Sequence, residues 1–105
     1  MVHVAYGTPM PAYVIASVTE ARDQEKLVEY RERNTDAVAR HGGRFIARGG
    51  HHETLEGKWA PVRLVIMEFP DMEAARGWYE SDEYAPLREL RQSASDTDIV
   101  VVEGV

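Results

Sequence analysis

The strands readable in this chain have no polar face. Residues 12–18 (AYVIASV), 64–69 (LVIMEF) and 99–102 (IVVV) are apolar at odd and even positions alike. A strand covered on one side only alternates apolar and polar, because successive side chains point to opposite faces. These strands ask for cover on both faces, and a chain of 105 residues has few helices to supply it. The pattern predicts a partner subunit.

The remaining elements follow from caps and periodicity. A strand over 12–19 leads to Asp23, an N-cap with Glu25 in the first turn, where the helix dipole favours a carboxylate. The helix runs to about Arg40 or His41, with Leu27, Tyr30, Asn34, Ala37 and Val38 forming an inward stripe. Gly42 and Gly43 stop it. A second strand starts near Arg44 (RFIAR), and Gly49-Gly50 predicts a bulge or bend before a continuation at His51–Leu55. Glu56-Gly57-Lys58 reads as a turn, and a third strand over 62–69 ends at Pro70. Asp71 caps a helix carrying Met72, Ala75, Trp78 and Tyr79, and Ser81 opens another with Tyr84, Leu87, Leu90 and Ala94. A kinked pair of helices is therefore expected, followed by a last strand over 98–103. The opening MVHVAYGTPM is set apart by Gly7 and Pro9, and Met10 is itself a candidate start. Residues 1–9 read as an N-terminal extension or arm, and 10–105 as a single domain.

The order β-α-β-β-α-β defines an α+β fold, a ferredoxin-like sandwich with a four-stranded antiparallel sheet. Right-handed crossovers put both helical regions on one face of that sheet. The other apolar face then meets water, which is rare on a monomer. Two sheets packed face to face would close the problem in a two-fold homodimer.

Composition excludes several function classes. A net charge of −6 argues against nucleic acid or an anionic membrane as partner. No apolar run reaches the roughly 20 residues that a membrane span requires. Zero cysteines remove disulfides, thiolate metal sites and a cysteine nucleophile. With no charged-then-apolar leader, the expected location is cytoplasmic.

The stretches MPAYVIASV at 10–18, GGRFIARGG at 42–50 and LEGKWAPVRLVIMEFPDMEAARGWYESDEYAPLRELR at 55–91 resemble, in order, the bacterial domain of unknown function 1330 family. The resemblance covers roughly residues 10–104. It implies the dimeric α+β barrel superfamily, in which ferredoxin-like protomers face each other through their sheets. That family has no established activity. Its superfamily relatives include cofactor-free monooxygenases, muconolactone isomerases and haem-dependent enzymes, whose pockets generally lie between sheet and helices. At the level of fold this licenses a place to look and nothing more.

Glu68 is the most suggestive candidate for chemistry. It shares a strand face with Leu64 and Ile66, and burial would raise its pKa toward that of a general base. Arg48 and Arg63 are its candidate partners, and a structural ion pair is the plainer reading. Arg48, before two glycines, suits a carboxylate or enolate ligand through its planar fork, or else a salt bridge or dimer contact. His51 and His52, adjacent in an expected strand, point to opposite faces and cannot share a metal, so no metal site is expected. His52 alone remains a candidate acid or base, or a haem contact, while His41 suits the helix dipole. Tyr30, Trp78, Tyr79 and Tyr84 are core packing or, in the sharper reading, aromatic walls of a pocket. Tyr13 and Trp59 read as interface or loop contacts. No phosphate loop, nucleophile elbow or nucleotide fingerprint occurs.

Two functions survive. One is a dimeric module that binds a small organic metabolite between sheet and helices, with no cofactor. Its ligand-binding residues would be Arg48, Tyr30, Arg63, Trp78 and Tyr79. The alternative is a cofactor-free monooxygenase- or isomerase-like enzyme acting on an aromatic or enolisable substrate, with Glu68 or His52 as base.

Overall fold

The computed structural model describes residues 10–105, so the expected arm at 1–9 lies outside the described residues. Seven elements follow in order: β1 (Ala12–Ala21), α1 (Gln24–Arg40), β2 (Arg44–Arg48), β3 (Arg63–Phe69), α2 (Met72–Glu80), α3 (Ala85–Ala94) and β4 (Ser95–Glu103). The four strands form one antiparallel sheet in the order β2-β3-β1-β4. This is the ferredoxin-like arrangement, with the second helical region divided in two as the sequence predicts.

Local chemistry sets the boundaries. The Asp23 carboxylate accepts from the Lys26 amide (3.1 Å) and the Asp71 carboxylate from the Ala74 amide (2.8 Å), so each helix begins where its N-cap stands. Gly42 ends α1 at φ +78°, a left-handed conformation that suits glycine. Between α2 and α3 the Ser81 hydroxyl accepts from the Tyr84 amide (3.1 Å), and Pro86 sits in the first turn of α3.

One expectation is corrected. Residues 51–55 form no strand; the backbone does bend at Gly49, but the bulge in β2 lies between Phe45 and Ala47. Gly49, at φ +75°, instead ends the strand and opens a long loop to Val62. In that loop His52 Nε2 donates to the Pro61 carbonyl (2.8 Å), and the Trp59 indole donates to the Ser17 hydroxyl (2.8 Å). These two bonds hold a segment that strand pairing does not.

The core lies between the sheet and the helices. Val14, Met67 and Phe69 from the strands meet Leu27, Val38, Trp78, Tyr84 and Leu87 from the helices, all nearly inaccessible. Alternation along β1 sends Ala12, Val14 and Ala16 into this core and Tyr13, Ile15 and Ser17 to the opposite face. Register places Ile15 between Ile66 and Val100, and Tyr13 between Glu68 and Val102. That second face carries no helix, and Val100 and Val102 are 57% and 48% exposed.

Candidate functional site

Helix α1 packs along α3 and stands off the sheet, and the gap beneath it is a cavity of about 440 Å³. Small residues on the sheet side, Ala16 and Ala21 from β1, help keep it open, while Leu27, Phe45, Val65 and Met67 give it apolar walls. Its charged lining is entirely cationic: Arg31 from α1, Arg48 from β2, Arg63 from β3 and Arg91 from α3. No carboxylate or histidine lines it among the described residues.

Each arginine is held differently. Arg48 donates to the Arg31 carbonyl (2.7 Å) and the Thr35 hydroxyl (3.0 Å), and its guanidinium lies 3.7 Å from the centre of the Phe45 ring. Arg63 lies across Gly49, where any Cβ would collide with the guanidinium. Glycine at 49 therefore serves both the backbone angle and this close approach. Arg91 is only 6% exposed, and its Nε points at the Tyr84 hydroxyl 3.4 Å away. Burial, and then the charge of Arg31, pull Arg48 and Arg63 below the usual guanidinium range. Arginine titrates so high that all remain charged at neutral pH.

A buried polar chain adjoins these cations. The Trp78 indole donates to Asn34 Oδ1 (3.1 Å), Asn34 Nδ2 donates to the Tyr30 hydroxyl (3.4 Å), and the Tyr30 and Tyr84 hydroxyls share a 2.7 Å bond. Tyr30 lines the cavity, and its hydroxyl is tied into this chain. Burial first, and then the Tyr84 hydroxyl, raise the Tyr30 pKa well above 10.0. The sign of the consequence follows. An unfolded tyrosine loses its proton near pH 10, whereas folded Tyr30 keeps it, so the unfolded state sheds protons first. This stability contribution is whole below about pH 10 and is lost as pH rises above it. Thermal midpoints should be level from about pH 8 to pH 10 and then fall, and Tyr30→Phe should lessen that fall. An identical alkaline slope in the variant would contradict the assignment.

The structure brings three of the sequence candidates, Tyr30, Arg48 and Arg63, to this cavity. Trp78 and Tyr79 line a second, larger hollow of about 660 Å³ beside β4, which Arg91 also borders. Its lining mixes Arg76 with Glu80, Asp96 and Asp98, so its charges can offset one another. Trp78 and Tyr84 are chiefly core: their ring centres are 4.4 Å apart and neither is accessible.

Glu68 and His52 reach neither space. Glu68 points to the helix-free face, where Arg44, not Arg48 or Arg63, is its partner: Arg44 Nε donates at 2.8 Å and Nη2 lies 2.7 Å away. The reason is alternation along β3, which sends Val65 and Met67 to the helices and Leu64, Ile66 and Glu68 away from them. The Tyr13 hydroxyl approaches the same carboxylate at 3.5 Å. His52 clasps the loop, as described above. Among the described residues no group of three or more His, Asp or Glu side chains is placed to hold a metal ion. No helix among them is long and apolar enough to cross a membrane.

Sequence reasoning missed Arg31 and Arg91. The signal was present: Arg31 falls in the series Leu27, Arg31, Asn34, Val38, and Arg91 in Leu87, Arg91, Ala94, both at inward-facing spacing. An arginine on a buried stripe is a question about its partner.

Residues 11–105 match the family model described as domain of unknown function DUF1330, and the chain belongs to that family. A search of curated proteins finds no match. Among solved structures, the chain is similar to a protein of unknown function from Rhodopseudomonas palustris, with 18% identity, TM-score 0.74, and coverage of 91% of this chain and 83% of that one. It is also similar to SnoaB, a cofactor-independent oxygenase from Streptomyces nogalater, with 14% identity, TM-score 0.61, and coverage of 89% and 91%. A third is a dimeric protein of unknown function and ferredoxin-like fold from Bacteroides fragilis, with 13% identity, TM-score 0.52, and coverage of 89% and 95%. At such identities the likeness speaks for the fold alone.

Proposed function

We propose that this protein is a homodimeric module that binds a small organic metabolite in the cavity beneath α1, the two protomers packing through their helix-free sheet faces. The observation that carries the binding reading is the cavity itself, apolar in its walls and furnished with a few convergent polar groups. Tyr30, Arg48 and Arg63 are its ligand-binding residues. The dimer reading is supported by the helix-free apolar face, where Ile15 and Ile66 are half-buried and Val100 and Val102 exposed, and the Bacteroides relative is itself described as dimeric. Cysteine-free composition and bacterial relatives support a place in the bacterial cytoplasm.

The alternative is a cofactor-free oxygenase- or isomerase-like enzyme, favoured by the likeness to SnoaB. Neither base candidate reaches the cavity, since Glu68 is paired on the opposite face and His52 lies in the loop. We therefore prefer binding.

Native mass spectrometry of protein from its own host tests the proposal. The dimer should carry an added organic mass, and Ala16→Leu, which fills the cavity from β1, should lose it while the empty protein stays as stable or gains stability. The same mass retained in Ala16→Leu would place the ligand elsewhere.

A further inference from the structure

An arginine cluster beneath α1 is costly to keep empty. Arg31, Arg48 and Arg63 converge from three elements, and each depresses or is depressed by the others' charge. Arg91 is nearly inaccessible, and the groups beside it are tyrosine hydroxyls, Tyr84 and Tyr30, rather than a carboxylate. Neutral hydroxyls offset the burial of the Arg91 guanidinium but leave its positive charge without a counter-charge. Among the described residues the arginines in ion pairs are Arg22, Arg33, Arg40 and Arg44, none of which lines the cavity. The protein as a whole is acidic, at −6, yet this cavity gathers only positive charge. The sheet order separates two cationic ends: Arg48 and Arg63 stand on β2 and the start of β3, whereas Arg91 stands on α3, which packs on β4 at the opposite edge. Leu27, Val65 and Met67 supply apolar lining.

We propose that the ligand is an organic dianion with two separated acidic groups, one held among Arg31, Arg48 and Arg63 and the other directed to Arg91. This rests on the cavity beneath α1 being the binding site. Planar guanidinium forks suit carboxylates, and two ends joined by an apolar span suit a dicarboxylate better than one compact phosphate. Such a ligand also supplies the charge that the empty cavity lacks.

Isothermal titration of the full chain with terephthalate, benzoate, terephthalamide and phenyl phosphate tests the inference. Terephthalate should bind roughly tenfold or more tightly than benzoate and phenyl phosphate, because each lost charged contact costs about one such factor. Terephthalamide, its neutral isostere, should bind weakest, and added salt should weaken terephthalate. Arg63→Gln should weaken terephthalate roughly tenfold and, by relieving like-charge repulsion, raise the thermal midpoint of the empty protein. Arg91→Gln should also weaken it, and Arg63→Gln keeps the test open if that buried replacement fails to fold. Phenyl phosphate binding as tightly as terephthalate overturns the two-ended placement. Terephthalamide binding as tightly as terephthalate overturns the dianion while leaving a metabolite site intact. Failure of all four probes overturns the dianion alone if native spectra show a retained neutral mass, and both readings if they show none.

Discussion

Trp78→Ala should lose about 3–5 kcal/mol of folding stability, the largest effect expected of any single replacement in the core. Trp78 is 1% exposed and packs on Phe69, Tyr79 and Tyr84, so truncation opens a void that three stiff rings cannot readily fill. Its indole N–H is also the donor to Asn34 Oδ1, and Asn34 would be left buried with that acceptor unpartnered. A domain of this size has roughly 5–15 kcal/mol in total, so the variant should be close to unfolding at room temperature. Urea titration followed by circular dichroism reads the change as a lower midpoint. Trp78→Phe, which keeps most of the volume and loses the donor, should fall between variant and wild type. A loss below about 1 kcal/mol for Trp78→Ala would mean that the aromatic cluster is not the keystone of the helix layer.

Ile66→Lys should separate the proposed dimer while leaving the protomer folded. Ile66 lies on the central strand β3, opposite Ile15, on the face without helices. In a two-fold assembly every interface residue occurs twice, so one substitution buries two ammonium groups against apolar surface. Replacing a central apolar contact by an unpaired charge costs about 2–5 kcal/mol or more, weakening association by a factor of roughly thirty to several thousand. The protomer's own core on the opposite face is untouched. Sedimentation should show the variant at half the wild-type mass with unchanged circular dichroism. An unchanged mass would show that the sheet face is not the interface.

The fold was legible because its signals are local. Asp23 and Asp71 cap the helices that their positions announce, and Pro70 and Gly42 stop the elements that precede them. The loop was misread because a run such as His51–Leu55 looks like a strand by composition, whereas pairing depends on a neighbour, and β2 already lies at the sheet edge. The candidate site was half legible. Arg48 precedes two glycines that draw the eye, and one of those glycines does let Arg63 lie close. Glu68 was misjudged toward the wrong arginines because strand parity gives a face but not which face the helices take. Arg44 is its cross-strand neighbour in the observed register, a fact that needs the bulge between Phe45 and Ala47 to be placed. Arg31 and Arg91 were hidden among surface-type charges, since only the standing-off of α1 turns their inward stripe into a cavity wall.

The two-sided apolar strands remain the centre of this account, because one face is filled by helices and the other lies open. Light scattering behind a sizing column, at micromolar concentration, tests that centre most directly. A mass of about twice 11.9 kDa is expected, two copies closing the open face on each other. A mass of 11.9 kDa would contradict it, leaving the apolar face of β1, β3 and β4 in water with no second copy to cover it.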